Sequence, residues 1–210
     1  MKEKMKDLIA FDFNPGGFIG YELSDEEFFP LLQEIDEVQS NFENAEPFNE
    51  NLVGQIKHEY RLNKNRKPLE KIAIKMAEEY TKIYNYKSGG ATENLVLNEY
   101  WVNFQRKHEF NPFHNHDGEF VFVIYVKVPY TIEEEQAATA YVEARINRAG
   151  YFSFLFITPL GEITAFELAA DKKFERRMIL FPAKLNHQVY PFYSSDEFRI
   201  TVSGNLFLKK

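Results

Sequence analysis

Apolar positions three and four apart mark two helices in the first half of the chain. Ser24-Asp25-Glu26-Glu27 has the form of a capping box, in which the Ser24 hydroxyl and the Glu27 carboxylate satisfy each other's backbone amides. Phe28, Leu31, Leu32, Ile35 and Val38 follow as one apolar stripe, which predicts a helix to about Gln39. A second helix opens at Pro68, where a missing amide proton is tolerated, and carries Leu69, Ile72, Met76, Tyr80 and Ile83 on one face. Lys87-Ser88-Gly89-Gly90 ends it after about Tyr86. Residues 40–67 are polar and weakly patterned, which predicts a long loop with a short element around Leu52 to His58.

From Leu95 the pattern changes to strands. Leu95-Val96-Leu97 and Tyr100 to Phe104 are rich in strand formers, and Phe120 to Val128 reads as a strand buried on both faces. Alternation predicts another over Ala140 to Ile146, and a hairpin joins Tyr151–Thr158 to Glu162–Leu168 through Pro159-Leu160-Gly161. Arg177 to Phe181, His187 to Phe192 and Phe198 to Leu208 bring the set to about eight strands. The expected fold is mainly β with N-terminal helices: a double-stranded β-helix, or jelly-roll barrel of cupin type, with supporting α-helices. A single domain over 1–210 is expected, divided into a helical support region (1–94) and a barrel core (95–210).

Composition narrows the chemistry. The formal net charge of −7 and the lack of a long Lys/Arg cluster argue against a nucleic-acid partner. No cysteine is present, so any metal must be held by histidines and carboxylates. The longest apolar run, Phe120 to Val126, is far short of the roughly 20 residues that span a bilayer. The apolar stretch near the start is broken by Asp12, so no signal-peptide core is read and a cytoplasmic chain is expected. His58 and His108 read as loop or surface histidines, and Glu133-Glu134-Glu135 as a solvated acidic turn.

Two of the five histidines fall in Phe113-His114-Asn115-His116-Asp117-Gly118-Glu119. On a strand, residues two apart share a face about 7 Å from each other, close enough to hold one ion; the alternative is a polar turn leading into the buried strand. His187 follows Phe181-Pro182 and a turn, where a barrel can return it to the first pair. Arg199, between Phe198 and Ile200, either faces inward and needs an anion or pairs with a protein carboxylate or solvent.

Trp101-Val102-Asn103, then His114-Asn115-His116 before Tyr125-Val126-Lys127-Val128-Pro129, then Phe181-Pro182, His187-Gln188-Val189-Tyr190-Pro191 and Arg199-Ile200-Thr201, resembles the 2-oxoglutarate- and iron(II)-dependent oxygenases. The likeness runs from about Leu95 to Leu208 and is nearest to small phage and bacterial members of that superfamily. It implies iron(II), 2-oxoglutarate and dioxygen, with oxidative decarboxylation of 2-oxoglutarate coupled to hydroxylation of a small molecule or a protein side chain. His114 and His187 take the places of metal ligands. Most of the superfamily carries Asp or Glu two residues after the first ligand, where this chain has His116. The third ligand is therefore His116, Asp117 or Glu119, or the metal is lost; His116 keeps the face of His114 on a regular strand. Arg199 and Thr201 match the pair that holds the distal carboxylate of 2-oxoglutarate, Tyr125 matches a tyrosine bonded to it, and Asn103 and Asn205 are candidate lining. The competing readings are a cupin-like three-histidine dioxygenase without 2-oxoglutarate and a non-catalytic binding barrel.

Overall fold

The computed structural model of the protein describes residues 9–12, 16–143, 145–158 and 160–209. Eleven strands and three α-helices are found among them. One sheet has seven strands in the order β1 (Ile9–Asp12), β2 (Gly17–Glu22), β9 (Arg177–Pro182), β6 (Phe120–Lys127), β11 (Arg199–Leu208), β4 (Leu95–Gln105), β3 (His58–Arg61). The other has four: β5 (Asn111–His114), β10 (Asn186–Val189), β7 (Phe152–Ile157), β8 (Ile163–Leu168). All pairings are antiparallel, and the jelly-roll architecture expected from the pattern is what forms.

Alternation along the central strands feeds two cores. Phe120, Phe122, Ile124 and Val126 of β6 join a cluster with the helices, while Val121, Val123 and Tyr125 face the smaller sheet. Met178 and Leu180 of β9 take the helix side, and Ile179 and Phe181 the inner side. Each such side chain, fully buried, contributes roughly 1.5–3 kcal/mol, which explains why a strand apolar on both faces lies at the centre of the sheet.

The helix-side layer is α1 (Asp25–Ser40) and α2 (Arg66–Tyr84). Ser24 and Glu27 form both bonds of the predicted capping box. The Asn65 side chain does not cap α2; instead Glu34 of α1 accepts from the backbone N–H groups of Asn63, Lys64 and Asn65 at 2.7, 2.7 and 3.1 Å and from the Tyr100 hydroxyl. One buried carboxylate thus ties both helices to β4.

Several expectations are corrected. The segment 1–94 is more than helical support, because β1, β2 and β3 add strands to both ends of the larger sheet. The long loop accordingly contains β3, and His58 lies on it rather than in a loop, its ring stacked on Phe42 at 4.7 Å. Helix α2 stops at Tyr84, with Asn85 in the left-handed region (φ 48°), before the glycine pair is reached. No strand forms over 140–146 among the described residues, and Ala144 lies outside them, as does Pro159 of the hairpin turn. The acidic turn is instead helix α3 (Ile132–Ala138), capped by Thr131 and Glu134. Its Glu135 is fully buried and accepts from the backbone N–H groups of Tyr193 and Ser194. No helix among the described residues is long and apolar enough to cross a membrane.

Candidate metal centre and its pocket

His114 closes β5 and stands opposite His187 of β10 in the antiparallel register, with their rings 4.2 Å apart. His116 lies two residues past the end of β5, so the pleat that was expected to align the pair is not what does so. Its backbone N–H donates to Ala183 O (2.9 Å), in the turn after β9, and its ring lies 5.0 Å from that of His114 and 5.1 Å from that of His187. One ligand atom from each histidine lies within 4.8 Å of the other two, and the Nε2 atoms of His116 and His187 are 3.3 Å apart. Two nitrogens about 2.1 Å from a common ion, at right angles, stand about 3 Å apart, so the spacing suits a shared metal.

Backbone carbonyls orient two of the rings. His114 Nδ1 lies 2.7 Å from Pro112 O and His187 Nδ1 2.9 Å from Leu185 O. A carbonyl only accepts, so each Nδ1 carries the proton and each Nε2 presents its lone pair. Burial holds all three rings below the ordinary histidine range, His116 at about 3 and His187 well below, with repulsion between the rings adding to the effect in those two. Neutral imidazoles are the form that binds a metal. Asp117 is instead paired with Lys184 at 3.1 Å, and the Glu119 carboxylate accepts from the Gly89 N–H at 2.7 Å, so neither joins the cluster.

The larger sheet supplies the opposite wall of the same cavity, about 90 Å³ in volume. Ile200 and Val202 of β11 point to the helices, so Arg199, Thr201 and Ser203 point inward. Thr201 is in register with Tyr125 on one side and Asn103 on the other, and Asn103 Nδ2 donates to Thr201 Oγ1 at 3.2 Å. Tyr125 is buried with no partner for its hydroxyl among the described residues, and burial raises that hydroxyl's pKa, which keeps it a donor. Asn205, next but one after Ser203 along β11, is buried but lies outside the cavity lining.

Arg199 is 2 % exposed. Its Nε and Nη2 donate to Gln105 Oε1 (3.1 and 2.6 Å), Nη2 also to Tyr190 O (3.1 Å), and Nη1 to the Tyr130 hydroxyl (2.5 Å) and Gly150 O (3.3 Å). Every acceptor is neutral, and no carboxylate lies within ion-pair distance among the described residues. A buried cation held only by dipoles carries uncompensated charge, which a carboxylate entering the cavity would balance. The donor set and this charge fit iron(II) and a dicarboxylate.

Sequence reasoning missed Gln105, Tyr130 and Glu59. Gln105 has a readable signal: Trp101, Asn103 and Gln105 alternate with Tyr100, Val102 and Phe104, a row that continues the inward face already marked by Asn103. His108 lies elsewhere, in a left-handed turn (φ 71°) against Tyr193.

A family model described as "Putative 2OG-Fe(II) oxygenase" matches residues 99–205. Among solved structures, a prolyl-4-hydroxylase from Pseudomonas putida is similar with a TM-score of 0.56 at 12% identity, covering 92% of this chain and 94% of that one. A prolyl 4-hydroxylase from Phytophthora capsici gives 0.53 at 14% identity over 94% of this chain and 60% of that one. SnoN, an epimerase of nogalamycin biosynthesis solved with Fe3+, α-ketoglutarate and nogalamycin RO, gives 0.51 at 12% identity over 93% and 80%. At these identities the likeness speaks for the fold. No curated protein matches the sequence. The match spans just over half of the chain, and the protein belongs to the 2OG-Fe(II) oxygenase family, enzymes that use iron(II), 2-oxoglutarate and dioxygen.

Proposed function

We propose that the chain is a hydroxylase in which His114, His116 and His187 hold the iron and Arg199, Thr201 and Tyr125 receive the distal carboxylate of 2-oxoglutarate. One juxtaposition carries this reading: three imidazole ligand atoms within 4.8 Å, and a buried guanidinium without a counter-ion, line one cavity. Bound there, iron(II) with 2-oxoglutarate and dioxygen would supply the chemistry of C–H hydroxylation, one oxygen atom going to the substrate and the other to succinate as carbon dioxide is lost.

The chain's own residues bind, orient and exclude water. Pro112 O and Leu185 O fix two of the imidazoles with Nε2 toward the metal position. Arg199 supplies charge from a site that water does not reach, and the Tyr125 hydroxyl donates to a carboxylate oxygen. The Thr201 hydroxyl accepts from Asn103, which orients it and leaves its proton for an acceptor in the cavity. Phe152 stacks on His187 at 5.3 Å and keeps that side of the metal position apolar. The substrate is a small molecule or a protein side chain; the net charge of −7 weighs against nucleic acid.

The test is anaerobic titration of the iron(II)-loaded protein with 2-oxoglutarate, read by the visible charge-transfer band of the chelate. A saturable band in the wild type and none in His187→Ala is expected. Iron binding without a band would refute the cosubstrate site, and failure to bind iron would refute the ligand assignment.

A further inference from the structure

The edge strand β3 is four residues long and buries an acid in its middle. Tyr60 packs in the helix-side core, so Glu59 points the other way, into the cavity, and is 1 % exposed. It pairs in register with Asn103, completing a row Tyr125–Thr201–Asn103–Glu59 across β6, β11, β4 and β3. Among the described residues its carboxylate takes one hydrogen bond, from Asn49 Nδ2 at 3.2 Å, and no ion pair. Burial, with a smaller push from the Glu109 charge, raises it to about 7.

The surroundings offer acceptors where a donor is needed. Among the described residues Asn103 Oδ1 and Asn111 Oδ1 have no hydrogen-bond partner, though both are buried, and both residues line the same cavity. Gly54 passes close enough that a Cβ there would stand 2.9 Å from Glu59 Oε1 and would also strike Asn111 Oδ1, so both oxygens border the space beside Gly54. Unsatisfied buried acceptors are costly, so a ligand bringing N–H donors gains by bonding to both.

Charge points the same way. Thr201, next but one to Arg199 on β11, lies two strands from Glu59, roughly 10 Å at the usual strand spacing, and Arg199 and Glu59 form no ion pair. The cavity therefore has an uncompensated cation at one end and an uncompensated acid at the other. The acid's strand lies outside the residues matched by the family model, 99–205, so the shared chemistry does not account for it. A hard metal ion would want about six to eight oxygens, whereas two carboxylate and two amide oxygens with a single charge suit an N–H cation.

We propose that Glu59, with the side-chain oxygens of Asn103 and Asn111, forms the subsite that binds a cationic N–H group of the substrate, an ammonium or a guanidinium. The assignment rests on the hydroxylase reading of the cavity, in which the Arg199 end is taken by 2-oxoglutarate. A free amine and a lysine or arginine side chain share this chemistry.

Trp101, the single tryptophan, lines the cavity with its ring 6.0 Å from that of His116, so its fluorescence reports on occupancy. The iron(II)- and 2-oxoglutarate-loaded protein, kept anaerobic, is titrated with n-butylammonium, n-butylguanidinium, 1-butanol and the blocked tripeptide acetyl-Gly-Lys-Gly-amide. At least one cation should bind about tenfold or more tightly than the alcohol, the scale of one charge-assisted hydrogen bond. Glu59→Gln, close to isosteric, should remove that preference while leaving 2-oxoglutarate saturation unchanged. Tighter binding of the tripeptide than of n-butylammonium assigns the cation to a protein side chain, and the reverse to a free amine. Equal binding of alcohol and cations, or a preference that survives in Glu59→Gln, overturns the proposal; if that variant fails to fold, the wild-type ratio alone decides. Cation preference without any response to 2-oxoglutarate would overturn the hydroxylase reading instead and leave the subsite standing.

Discussion

Replacing Arg199 by methionine separates the two things the guanidinium does, because the substitution keeps an unbranched stem and removes the charge with its N–H donors. Opposing effects act on the ligand-free protein. Gln105 Oε1 and Tyr190 O lose donors, at about 1–3 kcal/mol each. The Tyr130 corner survives, since that hydroxyl donates to Gly150 O at 2.9 Å. Against this loss, withdrawing a buried cation that has no anion returns several kcal/mol. The two are of similar size, so Arg199→Met should lie within about 2 kcal/mol of the wild type. Binding behaves differently. 2-Oxoglutarate at 100 times its Kd stabilises the form it binds by about 2.7 kcal/mol, which for a chain of this length is roughly 5–10 °C in Tm. Thermal melts with manganese(II) in place of iron, with and without 2-oxoglutarate, should show that gain in the wild type and none in Arg199→Met at the same concentration. An equal gain in both would refute the carboxylate role, and a ligand-free variant destabilised by more than about 4 kcal/mol would refute the charge argument.

Glu34→Ala strands the Asn63 and Lys64 backbone N–H groups and the Tyr100 hydroxyl proton, while the Asn65 N–H keeps the Tyr100 oxygen, and should cost about 3–5 kcal/mol in urea unfolding, with Glu34→Gln intermediate; a loss below about 1 kcal/mol would mean the strut is replaceable by water. Gly118 has φ +94°, and a Cβ there would stand 2.5 Å from Leu206 O, so Gly118→Ala should cost about 1–3 kcal/mol and weaken metal binding by displacing the neighbouring His116; unchanged stability would contradict the clash. Glu59 keeps its proton in the folded chain up to about pH 7, whereas the unfolded chain loses it near 4.5, so wild-type stability should fall as pH rises through that window. Glu59→Gln should lack that fall, leaving a difference of up to about 3 kcal/mol near pH 8, and parallel pH profiles would count against a buried, unpaired acid.

Local chemistry was legible wherever it repeated along one element. The capping box at Ser24 and the alternation of β11 are patterns written within one short stretch of chain, and each forms as read. The same Thr-x-x-Glu signature at Thr131 and Glu134 was equally available but lost to the charge of three consecutive glutamates, although Glu135 is buried by partners 58 and 59 residues away. Alternation over 140–146 misled because a strand needs an edge to pair with, and no ladder reaches this segment among its described residues. The three histidines converge as expected, yet the pleat was the wrong cause; the turn that places His116 depends on a bond to Ala183, which no local pattern encodes. Glu59 was invisible for the same reason, since only its register with Asn103 turns a charged residue in a four-residue strand inward.

Two of the three clustered histidines hang on the least supported strand of the smaller sheet or on the turn just beyond it. β5 has four residues, forms the sheet edge and pairs with β10 alone, through an irregular register between His187 and Val189. Detaching such a strand exposes little surface, so it can open many times for each global unfolding. An ion held through this edge would leave by its fraying, and a chelator would then strip the metal at a rate insensitive to denaturant at low concentration. Stiffening the β5 edge would lengthen the ion's residence without altering the ligands themselves.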